Sequence, residues 1–80
     1  MKEIRTIIGD WMDESGVASR NETIAFHIHD GDLYLMTKYP GWFIGKYGSL
    51  VDKYRRLMKL NGFDLTIHFI DLSCGKIREF

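Results

Sequence analysis

The sequence has few of the features that mark secreted, disulfide-stabilised or membrane-spanning chains. It contains one cysteine, Cys74, among 80 residues, so a disulfide framework is excluded and stability must come from a hydrophobic core. No apolar run approaches the ~18 residues of a membrane span. Four acidic residues between Glu3 and Glu14 interrupt the stretch where a signal peptide needs an apolar segment. These absences favour a single small cytoplasmic domain, residues 1–80, without membrane association.

Charge of one sign is not in excess over the whole chain, but it is unevenly distributed. The formal net charge is zero, while residues 1–37 carry −4 and residues 38–80 carry +4. The basic excess is densest between Lys38 and Lys59, where six cations face only Asp52. Such a local basic field can concentrate phosphates on a neutral molecule. A solvated helix face is the simpler interpretation of charge alone.

Apolar periodicity predicts a helix followed by a β-hairpin. Apolar residues recur at i, i+3, i+4 and i+7 from Ile4, which predicts a helix over residues 1–16. Residues 23–29 and 32–38 alternate in polarity around Asp30-Gly31, a strong signal for a two-residue hairpin turn. The predicted register pairs His29 with Asp32, Ile28 with Leu33, His27 with Tyr34 and Phe26 with Leu35, which places apolar residues together on one face.

The second half predicts two helices and one more strand. Pro40 starts a short helix over residues 40–44, which Gly45 ends. A helix over residues 49–61 follows, where Ser49 and Asp52 have the spacing of a capping box. Alternation then predicts a strand over residues 63–70, and the tail, residues 71–80, has no readable pattern. The order α-β-β-α-α-β predicts an α+β fold whose three-stranded mixed sheet has parallel second and third strands and helices on one face.

Between the two helices lies the segment Ile44-Gly45-Lys46-Tyr47-Gly48. It is not a Walker A loop, because only three residues separate Gly41 from Gly45 and a tyrosine follows the lysine. Its glycine spacing also excludes a dinucleotide-binding fingerprint. Two glycines three residues apart permit a tight turn that a phosphate chain can approach closely. The helix that follows favours negative charge at its N-terminus.

This segment resembles the I-G-x-x-G signature of KH domains, and the resemblance extends over nearly the whole chain. From Pro40-Gly41 to Gly48, followed by Val51 and Leu57, the chain is similar to the KH domain of the bacterial small-subunit ribosomal protein that carries one. The preceding helix and strand match the type II, prokaryotic arrangement. The resemblance implies a type II KH fold that binds single-stranded RNA, with single-stranded DNA as the alternative. In such domains the glycine loop clamps about four unpaired nucleotides beside an apolar groove.

Carried over to this chain, the resemblance assigns six residues to the site. The clamp consists of Gly45, Lys46, Tyr47 and Gly48, and the groove floor of Ile44 and Val51. We also expect contacts from Ser49, Lys53 and Arg56 on the following helix, with a solvated helix face as the alternative for the two cations. The chain departs from the family pattern in its bulky Tyr47 and aromatic Trp42-Phe43. Any of these aromatics could stack on a base, although core packing is the alternative for the Trp42-Phe43 pair.

The sequence does not favour catalysis or metal binding. No paired carboxylates or nucleophile–base pair stands out, and a chain of 80 residues leaves little room for a water-excluding cleft. His27, His29 and His68 are expected on the uncovered sheet face with a strand between them, and without cysteine or carboxylate partners. We therefore expect no enzymatic activity, no cofactor and no stoichiometric metal ion.

The alternative function is a KH-fold module for protein interaction or assembly that does not bind nucleic acid. Its contact surface would be the open sheet face, where Ala25, Tyr34 and Met36 are expected among the histidines. A partner protein or a second copy of the chain could dock there.

Overall fold

The computed structural model describes residues 2–20 and 24–80, and within these ranges the chain forms an α+β domain of three α-helices and a four-stranded mixed sheet. In chain order the elements are α1 (Ile4–Ser15), β1 (Ala25–His29), β2 (Asp32–Thr37), α2 (Pro40–Ile44), α3 (Ser49–Leu60), β3 (Thr66–Asp71) and β4 (Ile77–Glu79). Short 3-10 turns occupy Val17–Arg20 and Lys46–Gly48. None of the helices in the described ranges is long and apolar enough to cross a membrane.

The β1–β2 hairpin has the register that the alternation predicts. Ile28 pairs with Leu33 and His27 with Tyr34, and the turn consists of Asp30 and Gly31. Both turn residues have positive φ, 48° for Asp30 and 80° for Gly31, as a tight hairpin turn requires. This prediction is confirmed for the described residues. The predicted start of the first strand, residue 23, lies outside them.

The crossover through α2 and α3 makes β2 and β3 parallel, as predicted. Leu33 pairs with Ile67 and Leu35 with Phe69, so the two central strands contribute buried apolar side chains to the same face. The third strand begins at Thr66 and not at residue 63. The reason is that the Phe63 amide donates a hydrogen bond to the Met58 carbonyl (2.8 Å), which closes the end of α3.

The prediction of three strands is wrong, because the tail contributes a fourth. Strand β4 pairs antiparallel with β3, with Ile77 opposite Ile70. Asp71 organises the reversal between them. Its carboxylate accepts hydrogen bonds from the amide (2.9 Å) and the hydroxyl (2.5 Å) of Ser73, and these bonds lower the pKa of Asp71. The strand has only three residues, all exposed, so no apolar alternation marks it in the sequence.

The three helices pack on one face of the sheet around Trp11. Its ring contacts Phe43 of α2 and Phe69 of β3 edge-on, with centroids 5.3 and 5.7 Å away, and it stacks on Tyr54 of α3 at 5.3 Å. The indole Nε1 donates a hydrogen bond to the Phe43 carbonyl (2.9 Å). All four side chains are buried, so one cluster of rings fixes all three helices against the sheet.

The opposite sheet face has no helix over it in the described part of the chain. Register places all three histidines there, as predicted, with His27, Tyr34 and His68 in one row across the strands. The Tyr34 and His68 rings stack with centroids 4.8 Å apart, and His68 Nε2 donates to the Asp32 carboxylate (2.8 Å). Within the described ranges, no group of three or more histidine, cysteine, aspartate or glutamate side chains is arranged to hold a metal ion.

Candidate nucleic-acid interface

The glycine loop (Gly45–Gly48) connects α2 to α3 in a single tight turn. Three of its residues have positive φ: Gly45 at 76°, Tyr47 at 57° and Gly48 at 73°. The Gly48 amide donates a hydrogen bond to the Gly45 carbonyl (3.2 Å), which closes the turn on itself. The loop therefore projects Lys46 and Tyr47 as its tip, and both side chains are exposed.

Two independent structural features require glycine at position 45. Its φ of 76° combined with a ψ of 178° belongs to a backbone region that is essentially restricted to glycine. A Cβ at this position would lie 2.7 Å from Leu50 Cβ and 3.1 Å from the Leu50 amide nitrogen. The missing side chain thus lets the loop lie directly against the first turn of α3. Gly48 differs, because a Cβ there would have Val51 Cγ1 as its nearest neighbour at 3.9 Å.

The loop tip combines a positive charge with an aromatic ring. Tyr47 is 96% exposed, and the Lys46 ammonium lies 5.5 Å from the centroid of its ring. In the part of the chain that the structure describes, no carboxylate lies within ion-pair distance of Lys46. The tip therefore presents an uncompensated cation and a ring that the fold does not bury.

The predicted capping box at Ser49 does not form. Helix α3 begins at Ser49, with Gly48 as the N-cap residue, and Ser49 itself has helical φ and ψ of −65° and −37°. A side chain caps a helix from the position before its first helical residue, so Ser49 lies one residue too late. Its amide instead donates to the Lys46 carbonyl. The positive end of the α3 dipole consequently lies at the glycine loop.

The two residues predicted to form the groove floor adjoin the loop but are almost inaccessible. Ile44 is 8% exposed and Val51 is 2% exposed, and both belong to the hydrophobic core. With so little surface exposed, these two side chains form no open groove in this structure. An open depression lies instead near the other end of α3, lined by Arg56, Lys59 and Leu60. That end is separated from the loop by the length of a 12-residue helix, ~18 Å.

The predicted contacts Lys53 and Arg56 already have carboxylate partners. Lys53 Nζ lies 2.5 Å from Glu14 Oε1 on α1, and Arg56 lies 3.1 Å from Asp52, which also binds Arg55. The hydrogen bond from Lys53, with a second one from Tyr54, lowers the pKa of Glu14. Three of the six cations between Lys38 and Lys59 therefore form ion pairs with carboxylates. The other three, for which the described residues provide no carboxylate partner, are Lys38, Lys46 and Lys59.

A network between α1 and α3 is a second feature, beside strand β4, that the sequence did not reveal. The buried Tyr54 hydroxyl donates to Glu14 Oε1 (2.7 Å) and lies 3.2 Å from the Asp10 carbonyl. Burial and the adjacent Glu14 carboxylate both raise the pKa of Tyr54. Glu14 lies about 40 residues before Lys53 and Tyr54 in the sequence, so no local pattern could predict that these three side chains meet. The network engages Lys53 in an ion pair with Glu14 on α1.

Trp42 and Phe43, the unusual aromatic pair, have different environments. Phe43 is fully buried in the core, as the packing alternative predicts, whereas Trp42 is 38% exposed. The Trp42 ring lies over the end of α1, where a Cβ on Gly16 would be 3.6 Å from it, and it contacts the Tyr39 ring at 5.4 Å. Of the three aromatics considered as base-stacking residues, Tyr47 is therefore the most accessible.

The glycine loop thus places a cation, the positive end of a helix dipole and an open aromatic ring side by side, groups that suit an anionic ligand with aromatic rings. Family models, curated proteins and solved structures were compared with this chain, and none of them matches it.

Proposed function

We propose that this chain is a type II KH domain of cytoplasmic location that binds single-stranded RNA through its glycine loop. The observation that carries the proposal is the exposed tip of that loop, where Lys46 has no carboxylate partner in the described residues and lies directly before the N-terminus of α3. The proposed activity is binding alone, with no catalysis and no cofactor.

The element order supports the KH part of the proposal. From α1 to β3 the chain follows α-β-β-α-α-β, with β2 and β3 parallel and the glycine loop between the two crossover helices. These are the features that the resemblance implies for a type II domain. Strand β4 is an addition beyond that order, on the edge of the sheet beside β3.

The chemistry of the loop supports the nucleic-acid part. A strand of phosphates can approach the backbone at Gly48, where even an added Cβ would have no neighbour closer than 3.9 Å, while Gly45 allows the tight turn that exposes this part of the loop. Lys46 supplies a cation, and the α3 dipole adds partial positive charge at the same place. Single-stranded DNA has the same phosphates and is the alternative ligand.

A charge-matched pair of double variants tests the proposal. Replacing Lys46 and Tyr47 together by Asp changes the local charge by −3, and replacing Lys59 and Leu60 by Asp makes the same change at the far end of α3. Affinity for a fluorescein-labelled, unstructured eight-nucleotide RNA is measured by fluorescence anisotropy at two salt concentrations. We expect the loop variant to lose on the order of a thousandfold in affinity, through lost contacts and like-charge repulsion. The control should lose several-fold at most.

Thermal melts of the same proteins separate binding from folding. Both pairs of side chains are exposed, so both variants should remain folded, with stability within about 1 kcal/mol of wild type. Equal affinity of the folded loop variant and wild type would show that this loop does not hold nucleic acid. The protein-docking alternative would then lead, supported by the exposure of Ile77 (64%) beside Ile70 on the open sheet face.

A further inference from the structure

Tyr47 occupies a position that the fold alone does not explain. Its φ is 57°, in the left-handed region that residues with a bulky side chain rarely adopt. Glycine, asparagine and aspartate tolerate that conformation better. The side chain gains no burial in return, since it is 96% exposed. An aromatic residue that is both conformationally unfavourable and unburied is a candidate for contact with a ligand.

The geometry around the ring indicates what kind of ligand would fit. The Lys46 ammonium lies over the ring at 5.5 Å from its centroid, and at 96% exposure the remainder of the ring is open to solvent. In a nucleic-acid strand every sugar carries one base and is linked to the next sugar by a phosphate, so each phosphate has a base one sugar away on either side. A phosphate bound by Lys46 therefore delivers a neighbouring base to the adjacent side chain, which is the ring of Tyr47.

We infer that Tyr47 is a stacking surface for one unpaired nucleobase, while Lys46 holds the phosphate next to it. This inference rests on the proposed function and narrows its ligand class. The loop selects strands whose bases are free to leave the strand's own stack, and discriminates against duplexes and against base-free polyanions. Tyrosine suits this role, because every base has a π-face and stacking does not require a particular sequence.

Two variants of one side chain, measured on two ligands, isolate the stacking contribution. Tyr47→Phe keeps the ring, while Tyr47→Leu keeps an apolar side chain without a ring. The ligands are the eight-nucleotide RNA and a ribose-phosphate oligomer of the same length that lacks bases. We expect Phe to bind the RNA within about twofold of wild type and Leu to bind it about tenfold more weakly. Neither variant should change the affinity for the base-free oligomer.

Lys46→Gln provides the complementary measurement. Removing one phosphate contact should weaken binding of both ligands alike, and should reduce the slope of log affinity against log salt by about 0.7. If Tyr47 merely positioned Lys46, the Leu variant would instead weaken both ligands and reduce the salt slope. That outcome would overturn the inference.

A stability readout distinguishes a binding role from a structural one. Tyr47→Asn replaces the ring by a residue that tolerates positive φ, so the melting temperature should rise by roughly 4 °C while RNA affinity falls about tenfold. Equal RNA affinity of wild type and the Leu variant would refute the stacking role and leave the proposed function standing. Failure of the wild type to bind either ligand would refute both.

Discussion

Two turns in this molecule have similar φ values but different residues. The hairpin turn Asp30-Gly31 has φ values of 48° and 80°, and Tyr47-Gly48 in the glycine loop has φ values of 57° and 73°. Both therefore place a residue with a side chain, followed by glycine, in the left-handed region. Asp-Gly is the pair that local conformational preference favours for such a turn. Tyr-Gly is not.

The difference in residues shows that conformational preference explains the composition of the hairpin turn but not that of the glycine loop. Asp30 tolerates positive φ and its carboxylate has a partner in the His29 ring (3.0 Å), so the hairpin turn needs no other account. Tyrosine is a poor residue for the positive φ of position 47, and the Tyr47 side chain is almost fully exposed. Its neighbour Lys46 has no carboxylate partner among the described residues. A local preference that is violated without a gain in packing is expected at functional sites. Similar φ values thus occur in a turn that local preference explains and in the loop that we propose binds RNA.

The most severe substitution tests whether position 45 must be glycine for the loop to pack against α3. Gly45→Ala should destabilise the domain by about 3 kcal/mol, because the new Cβ meets Leu50 Cβ at 2.7 Å in a glycine-only conformation. The melting temperature should fall by more than about 10 °C, as measured by circular dichroism.

The matched control for that change is Gly48→Ala. It also puts a side chain at positive φ, but its Cβ would have no neighbour closer than 3.9 Å, so we expect a cost of only about 1 kcal/mol. Equal destabilisation by the two substitutions would show that contact with Leu50 is not what makes Gly45 special.

An intermediate effect comes from giving the hairpin turn the residue of the loop. Asp30→Tyr should cost about 1 kcal/mol, because tyrosine is less tolerant of positive φ than aspartate. Asp30→Asn, which keeps that tolerance and removes only the charge, should be close to neutral. Urea denaturation of the three proteins measures the difference. If Asp30→Tyr proves as stable as wild type, the conformational cost attributed to Tyr47 must be rejected too.

A weaker effect concerns Lys53, which forms an ion pair with Glu14, whereas no carboxylate among the described residues pairs with Lys46. The pKa of Glu14 lies below its ordinary value of 4.5 because Lys53 and Tyr54 donate hydrogen bonds to the carboxylate. Their contribution to stability is therefore fully present above about pH 4.5 and is lost as the pH falls through the lower, folded-state pKa. We expect Glu14→Gln to lower the melting temperature at neutral pH, by an amount that shrinks below pH 4.5. A difference that stays constant down to about pH 3 would contradict this account.

Local pattern was sufficient for the elements whose residues signal their own conformation. Asp30-Gly31 and the alternation around it predicted the hairpin register, because a two-residue turn leaves one register that puts all apolar residues on one face. Gly45 was likewise identified as the residue that ends the short helix begun by Pro40, and its spacing to Gly48 marked the glycine loop.

Features that depend on distant partners were not predictable in this way. Strand β4 is three exposed residues long, and only pairing with β3 makes it a strand. The ion pair between Lys53 and Glu14 joins two helices about 40 residues apart in sequence. The prediction of a capping box at Ser49 was wrong because of the residue just before it. Gly48, in the left-handed conformation, is the N-cap residue, so Ser49 is already inside the helix.

A nuclear magnetic resonance titration can observe both turns in one experiment and show directly which of them contacts RNA. Amide signals of ¹⁵N-labelled protein are followed while the unstructured eight-nucleotide RNA is added. Binding by the glycine loop predicts saturable shifts that are largest at residues 44–51, with the Gly31 amide unchanged. Shifts centred on the open face of β1 and β4, or shifts of equal size at both turns, would contradict it.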